Sequence, residues 1–327
     1  MERRSSTLED LPPLELRRLR DLDLEEPPAE GQPPHIASAS GVAKRGNFVY
    51  VVGDDLLQVG VFELAGASPG AARRVFEGEL PADPDRRKDE KPDLEGLTTL
   101  PPVEGEPNGG LLGLGSGSSR ERDRGFFWAF APDGSLEGGP RTVDLRPAYD
   151  AMRERLEGDI NIEGAAVVAG RLWLFHRANE GRVPNTVAEF ELGDLARTLR
   201  EDLVVDPDEL AAIREYELGE LHDVRLCFSD ATTLTEDTVC FSASAEEPGT
   251  GEIHGSVVGT IGADGEVRRL RTVDPRWKVE GVHATVDSGV VDFLFVCDQD
   301  SPDEPSPLLS ATMPLDRKLD QSRDRSR

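Results

Sequence analysis

Three carboxylates recur along the chain in nearly the same setting. They are the glutamates of Leu94-Glu95-Gly96-Leu97-Thr98, Ile162-Glu163-Gly164-Ala165-Ala166 and Val279-Glu280-Gly281-Val282-His283. Each lies inside an apolar run with a glycine directly after it, and a second apolar run follows. Weaker copies stand at Ser40-Gly41-Val42-Ala43 and Ser229-Asp230-Ala231-Thr232-Thr233. With Ser40, Glu95, Glu163, Asp230 and Glu280 as equivalent points, the steps are 55, 68, 67 and 50 residues. Two carboxylates about 5 Å apart at an effective dielectric of about 20 repel by roughly 3 kcal/mol. A cluster of such groups therefore needs either a cation or shared protons and ordered water. Oxygen-only donors favour Ca²⁺ over Zn²⁺, since neither histidine nor cysteine recurs at these positions. Such an ion could staple the repeating units together or take part in chemistry. The glycine after each acid lets backbone approach closely.

The elements that position these side chains are short apolar runs separated by turns. The first unit reads as Ser40–Ala43, Phe48–Val52, Leu57–Phe62 and Arg73–Phe76, and the later units repeat this strand count. Five equivalent antiparallel sheets close most simply as an all-β, five-bladed β-propeller with four-stranded blades, whose first strands line the axis. The blades fall near 36–80, 93–145, 160–220, 223–274 and 277–315. The fifth lacks a fourth strand. Residues 14–24 alternate in part as a half-buried strand would, although a short amphipathic helix also fits. Pairing that stretch with 306–315 completes the last blade and leaves no open edge. Residues 13–316 then form one domain, with disorder expected over 1–12 and in the charged tail 317–327. Residues 146–157, with Pro147 near the start, predict a short inserted helix. The charged run Asp83–Lys91 reads as a solvated connection.

Turns after the second strands fall at one end of the channel and form a second tier. They supply Asp54 and Asp55, Ser116 with Ser118 and Arg120, His176 with Arg177 and Asn179, Ser244 with Glu246, and Asp298 with Gln299 and Asp300. Asp55 or Asp298 could act as general base. Arg177 and Arg120 could hold a phosphate or carboxylate, with His176 and Asn179 as further substrate contacts. His176 equally suits a backbone hydrogen bond in a turn. The Gly113-Leu114-Gly115-Ser116-Gly117 stretch has the glycines of a phosphate cradle but no helix signal behind it.

Composition narrows the function classes. The formal charge of −27 over 327 residues argues against nucleic acid as a partner, because phosphate backbones require concentrated Lys and Arg. No apolar run reaches the length of a membrane span, and the opening Met-Glu-Arg-Arg-Ser-Ser lacks a signal core. A cytoplasmic protein without membrane contact is expected. Cys227, Cys240 and Cys297 are too few and odd in number for a disulfide framework.

Several short motifs resemble the calcium-activated nucleotidase (apyrase) family of five-bladed propellers. Val52-Gly53-Asp54-Asp55 resembles its aspartate turn, Cys227-Phe228-Ser229-Asp230 its serine-containing inner strand, and Lys278-Val279-Glu280-Gly281-Val282 its lysine-x-glutamate-glycine strand. The Glu-Gly repeats are also similar to the esterase-like phytase propellers and to related uncharacterised bacterial propellers. The resemblance implies Ca²⁺ in the channel, held by Ser40, Glu95, Glu163, Asp230 and Glu280. The sequence departs from the apyrase pattern in two places: no arginine follows Asp54-Asp55, and Asp230 stands where a serine is expected. Two functions stay open. One is a Ca²⁺-dependent hydrolase of a small phosphate or other anionic ester. The other is a non-enzymatic propeller that binds a ligand or protein partner over a structural ion.

Overall fold

The computed structural model describes residues 2–29, 31–81, 83–103, 105–178, 183–193, 204–299 and 301–315. Two short strands, β1 (Glu2–Ser5) and β2 (Arg17–Asp21), precede five antiparallel sheets. Blade 1 is β3 (Ala39–Arg45), β4 (Phe48–Gly53), β5 (Gln58–Glu63) and β6 (Ala71–Arg74). Blade 2 is β7 (Leu94–Leu100), β8 (Gly110–Gly115), β9 (Arg124–Ala129) and β10 (Arg141–Asp144). Blade 3 is β11 (Ile162–Val168), β12 (Arg171–His176), β13 (Asn185–Glu191) and β14 (Leu210–Glu217). Blade 4 follows a two-residue strand, β15 (Glu220–Leu221), and comprises β16 (Val224–Thr235), β17 (Thr238–Glu246), β18 (Ile253–Gly262) and β19 (Val267–Thr272). Blade 5 is β20 (Val279–Asp287), β21 (Val290–Cys297) and β22 (Pro307–Pro314), with β2 as its outer strand. The fold is a five-bladed β-propeller, and the strand that completes its last blade comes from the N-terminal side.

Side chains alternate along each strand, so every blade offers apolar residues to both neighbours. The core is accordingly divided into five clusters, one for each junction. Phe175 and Tyr216 of blade 3 meet Phe228 and Phe241 of blade 4, with Phe175 and Phe228 edge to face at 5.0 Å between ring centres. Phe293 and Phe295 of blade 5 pack on Cys240 and Val258 of blade 4. A helix, α2 (Arg146–Leu156), turns Ala148, Tyr149, Met152 and Leu156 into the blade 2–blade 3 cluster. The helix ends where Glu157 adopts a left-handed conformation. All three cysteines are unpaired thiols. No helix among the described residues is long and apolar enough to cross a membrane.

One sequence expectation needs correction, and a second gains detail. Residues 2–12 are ordered: β1 adds to β14 in parallel, and the Glu9 amide donates to Leu270 of β19. The chain then continues along blade 4 through Leu14 and Val273, pairs with β22, and reaches blade 1, where Leu24 bridges Gly70. One N-terminal run thus covers the outer edges of four blades in succession. Its leucines at 14, 16, 22 and 24 are buried, each stabilising by about 1.5–3 kcal/mol. The run Asp83–Lys91, expected to be a solvated connection, contains a helix, α1 (Pro84–Glu90), with Asp83 as its N-cap. It carries Arg87 and Lys91 to the channel mouth, where both bind aspartates. The proposed tail 317–327 lies outside the described residues.

The innermost strands touch one another closely enough that a side chain would not fit. A methyl group at Gly41 would stand 2.7 Å from the Glu95 carbonyl oxygen, and one at Gly164 would stand 2.4 Å from the Ala231 nitrogen. At Gly281 it would meet the Ser40 carbonyl oxygen at 2.8 Å. These obstacles are backbone atoms of the next blade and cannot swing aside. Gly164→Ala should therefore lower stability by about 1–3 kcal/mol or more. Gly139→Ala, where no atom lies within 4 Å of the added carbon, should be near neutral. Chemical denaturation of both variants checks the contrast.

Candidate functional site

Each inner strand carries a β-bulge at the same level of the channel. The ladder skips Ser40, Glu95, Glu163 and Glu280, and in blade 4 it skips Ser229. A bulged residue is left without a ladder partner and its side chain is re-aimed. The glycines Gly41, Gly96, Gly164 and Gly281 follow immediately, and Asp230 stands at the glycine position of blade 4. The blade 4 member of the ring is thus Ser229, one residue before the position inferred from sequence. The bulge ring reads Ser40, Glu95, Glu163, Ser229, Glu280. Equating Ile162, Leu94 and Val279 with Phe228, the apolar residue before each bulge, gives the register directly.

Asp230 has a separate task. Fully buried, it accepts from the Ala231 N–H at 2.7 Å and from the Val282 N–H of blade 5 at 2.7 Å. It links two blades at the junction where the glycine is missing. Burial pushes its carboxyl well above the usual range, against the pull of those two N–H groups.

Ser40, Glu95, Glu163 and Glu280 line a cavity of about 260 Å³ at one end of the channel, together with Asp54, Arg177, Glu246, Lys278 and Asp298. Lys278 pairs with Glu280 at 3.1 Å and Arg177 with Glu246 at 2.6 Å. Ser40 donates to the Leu94 carbonyl at 2.5 Å. Beside the cavity, Asp54, Asp93 and Glu95 bring carboxylate oxygens within 4.8 Å of one another. Lys91 bridges Asp54 and Asp93, and Arg122 holds Asp93 at 2.9 Å. Asp93 adopts φ 54°, a left-handed conformation that aspartate tolerates better than most residues.

The carboxyls show the strain of this crowding. Burial raises Glu95 well above the ordinary range, and Glu163, Asp93 and Asp54 add to the effect. Burial also lifts Glu163 to about 8, only partly opposed by Arg177, with Glu280 and Asp93 raising it further. Asp54 is raised by burial despite Lys91. Burial works to discharge Arg177, but Glu163, Glu280 and Glu246 outweigh it and hold the guanidinium charged.

The other residues singled out from sequence fall as follows. Arg177 and Asp298 line the cavity. Asp55 does not; its carboxylate accepts from Ser38 at 2.6 Å and from Arg87 at 2.9 Å. Its neighbour Asp54 is the one facing inward. Arg120 lies outside the cavity lining on an exposed turn, paired with Asp150 and Asp123. His176 is fully buried and cannot touch a ligand in the channel. Its Nδ1 accepts from the Asn161 N–H at 2.8 Å, and the Asn161 amide donates in turn to Glu163. Asn179 and Asp300 lie outside the described residues. Asp93 and Lys91 were not legible as site residues, although Asp93, Asn161 and Lys278 each stand two places before a bulged acid.

The chain belongs to the DUF6929 family, a family of unknown function, whose model matches residues 35–313. No curated protein sequence matches it. Similar solved structures include a luciferin-regenerating enzyme, at 10% identity and a TM-score of 0.45, covering 92% of this chain and 95% of that one. A mannose phosphorylase from Leishmania mexicana in complex with phosphate ion matches at 12% identity and a TM-score of 0.46, covering 93% and 90%. A GH43 endo-arabinanase from Bacillus licheniformis matches at 13% identity and a TM-score of 0.43, covering 92% and 98%.

The raised carboxyls fix a pH dependence. Glu163 keeps its proton in the folded state up to about 8, whereas the unfolded chain releases it near the ordinary glutamate value. Its contribution is complete below the unfolded pKa and disappears as pH rises through the folded one. His176 and His283 act in the opposite sense, since burial depresses both to about 4. Their contribution is present above the ordinary histidine value and is lost on acidification. Between about pH 6.5 and 8 only the carboxyl effect remains. Chelator-treated protein should lose melting temperature across that interval, and Glu163→Gln should flatten the loss. Equal slopes in the two proteins would contradict the assignment.

Proposed function

We propose that the channel binds one divalent cation, Ca²⁺, and that its mouth acts on a small phosphate ester, phosphoanhydride or other anionic ester. The observation that carries this reading is the charge of the cavity lining. In that lining Asp54, Glu95, Glu163, Glu246, Glu280 and Asp298 outnumber the two cations, Arg177 and Lys278, and Lys91 adds one more beside Asp54. Among the described residues neither Glu95 nor Glu163 forms an ion pair of its own. Carboxylates this crowded must keep protons or gather a cation.

The donor set fits a hard cation. It consists of oxygens alone, and the buried Asp54 Oδ1 has no hydrogen-bond partner. Glu95, Glu163 and Glu280 would hold the ion, with Asp54 as an added ligand. Asp230 is set aside because backbone amides already occupy both of its oxygens. Ser229 and Ser40 supply the neutral positions of the ring. A bound Ca²⁺ supplies charge neutralisation and polarises an ester or phosphoryl oxygen. Arg177 presents a charged fork to an anionic group. Asp298, which lines the same cavity, would take a proton from attacking water. Asn161, aligned by His176, steadies Glu163.

A second reading keeps the ion but not the enzyme. The cations of the cavity lining are engaged, Arg177 with Glu246 and Lys278 with Glu280, as suits a structural ring beneath a binding face.

Calcium should stabilise the protein by about 2.7 kcal/mol at one hundred times its Kd, and Glu280→Gln should remove the effect. Absence of any Ca²⁺-dependent shift in melting temperature would dismiss both readings. Turnover of phosphate esters or anhydrides should stop with chelator and return with Ca²⁺. Asp298→Asn should abolish that turnover and leave Ca²⁺ affinity intact. Calcium binding without turnover on such a panel favours the binding module.

A further inference from the structure

A second cluster of metal-ligating side chains lies apart from the channel lining, on the hairpin that joins β17 to β18. The Glu247 N–H donates to the Glu252 carbonyl at 2.8 Å, and the Gly251 N–H returns to the Glu247 carbonyl at 3.0 Å. Glu246 and Ile253 are the last paired residues of the ladder, so Glu247 and Glu252 face each other across the turn. The ladder skips His254 between Ile253 and Gly255, a bulge that re-aims its side chain. The outcome is a convergence: one donor atom each from Glu247, Glu252 and His254, all within 4.8 Å of one another. A second imidazole stands beside them, with the ring centre of His222 6.4 Å from that of His254. Two imidazoles bound to one tetrahedral metal have ring centres roughly 5–6 Å apart, given metal–nitrogen distances of about 2.0–2.1 Å. Small side-chain rotations close the difference.

Two features separate this cluster from an ordinary acidic surface. Beyond the last ladder pair the two glutamate carboxylates converge although like charges repel, and His254 Nε2 stands 3.5 Å from Glu247. The donors also include nitrogen. A set of two imidazoles and two carboxylates selects borderline metals such as Zn²⁺ or Co²⁺, whereas the all-oxygen channel favours Ca²⁺. We infer that His254, Glu247, Glu252 and His222 form a zinc-class metal site on the rim, distinct from the channel. Its place has a consequence for the mouth. Glu247 follows Glu246, the partner of Arg177, and both glutamates border a cleft of about 1310 Å³ that opens beside the channel. A metal here pins the lip of that cleft and, through it, the Arg177–Glu246 pair.

Cobalt serves as the probe. Purified full-length protein, stripped of metal and held in excess Ca²⁺, should bind one equivalent of Co²⁺ with the visible absorption of a low-coordinate nitrogen–oxygen site, and Zn²⁺ should displace it. His254→Ala should weaken binding at least tenfold, and His222→Ala should weaken it and change the spectrum. These side chains are exposed or half-exposed, so both variants should fold, as their melting temperatures will show. Glu280→Gln, which alters the channel, should leave cobalt binding unchanged. Unaltered affinity in His254→Ala, loss in Glu280→Gln, or no binding below about millimolar Co²⁺ would each overturn the assignment.

Discussion

The structure depends on five backbones coming to near contact around one axis. Three junctions use a glycine, Gly41, Gly164 or Gly281, where any side chain would strike the next strand's backbone, and at blade 4 Asp230 reaches across to the Val282 N–H. The bulge that precedes each of these positions has an unavoidable effect. It swings the preceding side chain out of the ladder and toward the axis, and in three blades that side chain is glutamate. Close packing and charge crowding are therefore one feature. A tighter ring brings the carboxylates nearer, and their repulsion grows as the channel dries. Protons or a cation must answer that repulsion. Glu163 and Glu95, whose carboxyls burial and neighbouring acids raise above the ordinary range, answer it by holding protons.

A ring built of separate sheets also needs closure at its circumference. Blade 5 takes its outer strand from β2, which joins the two ends of the propeller. The N-terminal run does more than this by passing along the edges of blades 3, 4, 5 and 1. Edge strands left open invite pairing with other chains, and this run covers them with backbone hydrogen bonds and buried leucines. Charged residues at its surface, such as Arg3 with Glu217 and Arg269 with Glu9, are exposed or half-exposed and contribute little by themselves. Its hold comes from Leu14, Leu16, Leu22 and Leu24.

Much of this was legible from residue patterns because the fold repeats. The Glu-Gly signature gave the blade count, the ring and its central charge, and the unfilled last blade pointed to strand 14–24. The readings that differ from the structure do so for physical reasons. Asp230 was taken for the ring member because acid followed by small residue was the pattern matched, whereas a bulge is defined by backbone pairing, which places Ser229 there. Asp55 was preferred to Asp54, although the pair shares one turn and only the direction of each side chain separates them. The polar stretches 2–12 and 83–91 carry too few apolar residues to announce order. Their order comes from tertiary partners, an exposed sheet edge in one case and a row of aspartates in the other. Of the two readings of His176, the backbone hydrogen bond is the one present, since its ring is buried and accepts from the Asn161 N–H.

The placement of lysine shows how the mouth tolerates its charge. The chain has five lysines and 32 arginines, so an ammonium is the rarer choice by far. Two of the five, Lys91 and Lys278, sit among the carboxylates of the mouth. An ammonium is a compact point charge on a flexible stem, whereas a guanidinium is a broad plane that demands space and paired acceptors. Lys91 can therefore stand between Asp54 and Asp93, where burial disfavours its charge but the two aspartates restore it. Arginine is used where room exists, as at Arg177 against Glu246 and Arg122 against Asp93. All of these cations lie at the rim, and none pairs with Glu95 or Glu163 lower in the ring among the described residues. Among those residues lysine reaches the ring itself only at Glu280, through Lys278, and the two ring glutamates left without an ion pair, Glu95 and Glu163, are the ones whose carboxyls burial and neighbouring acids raise.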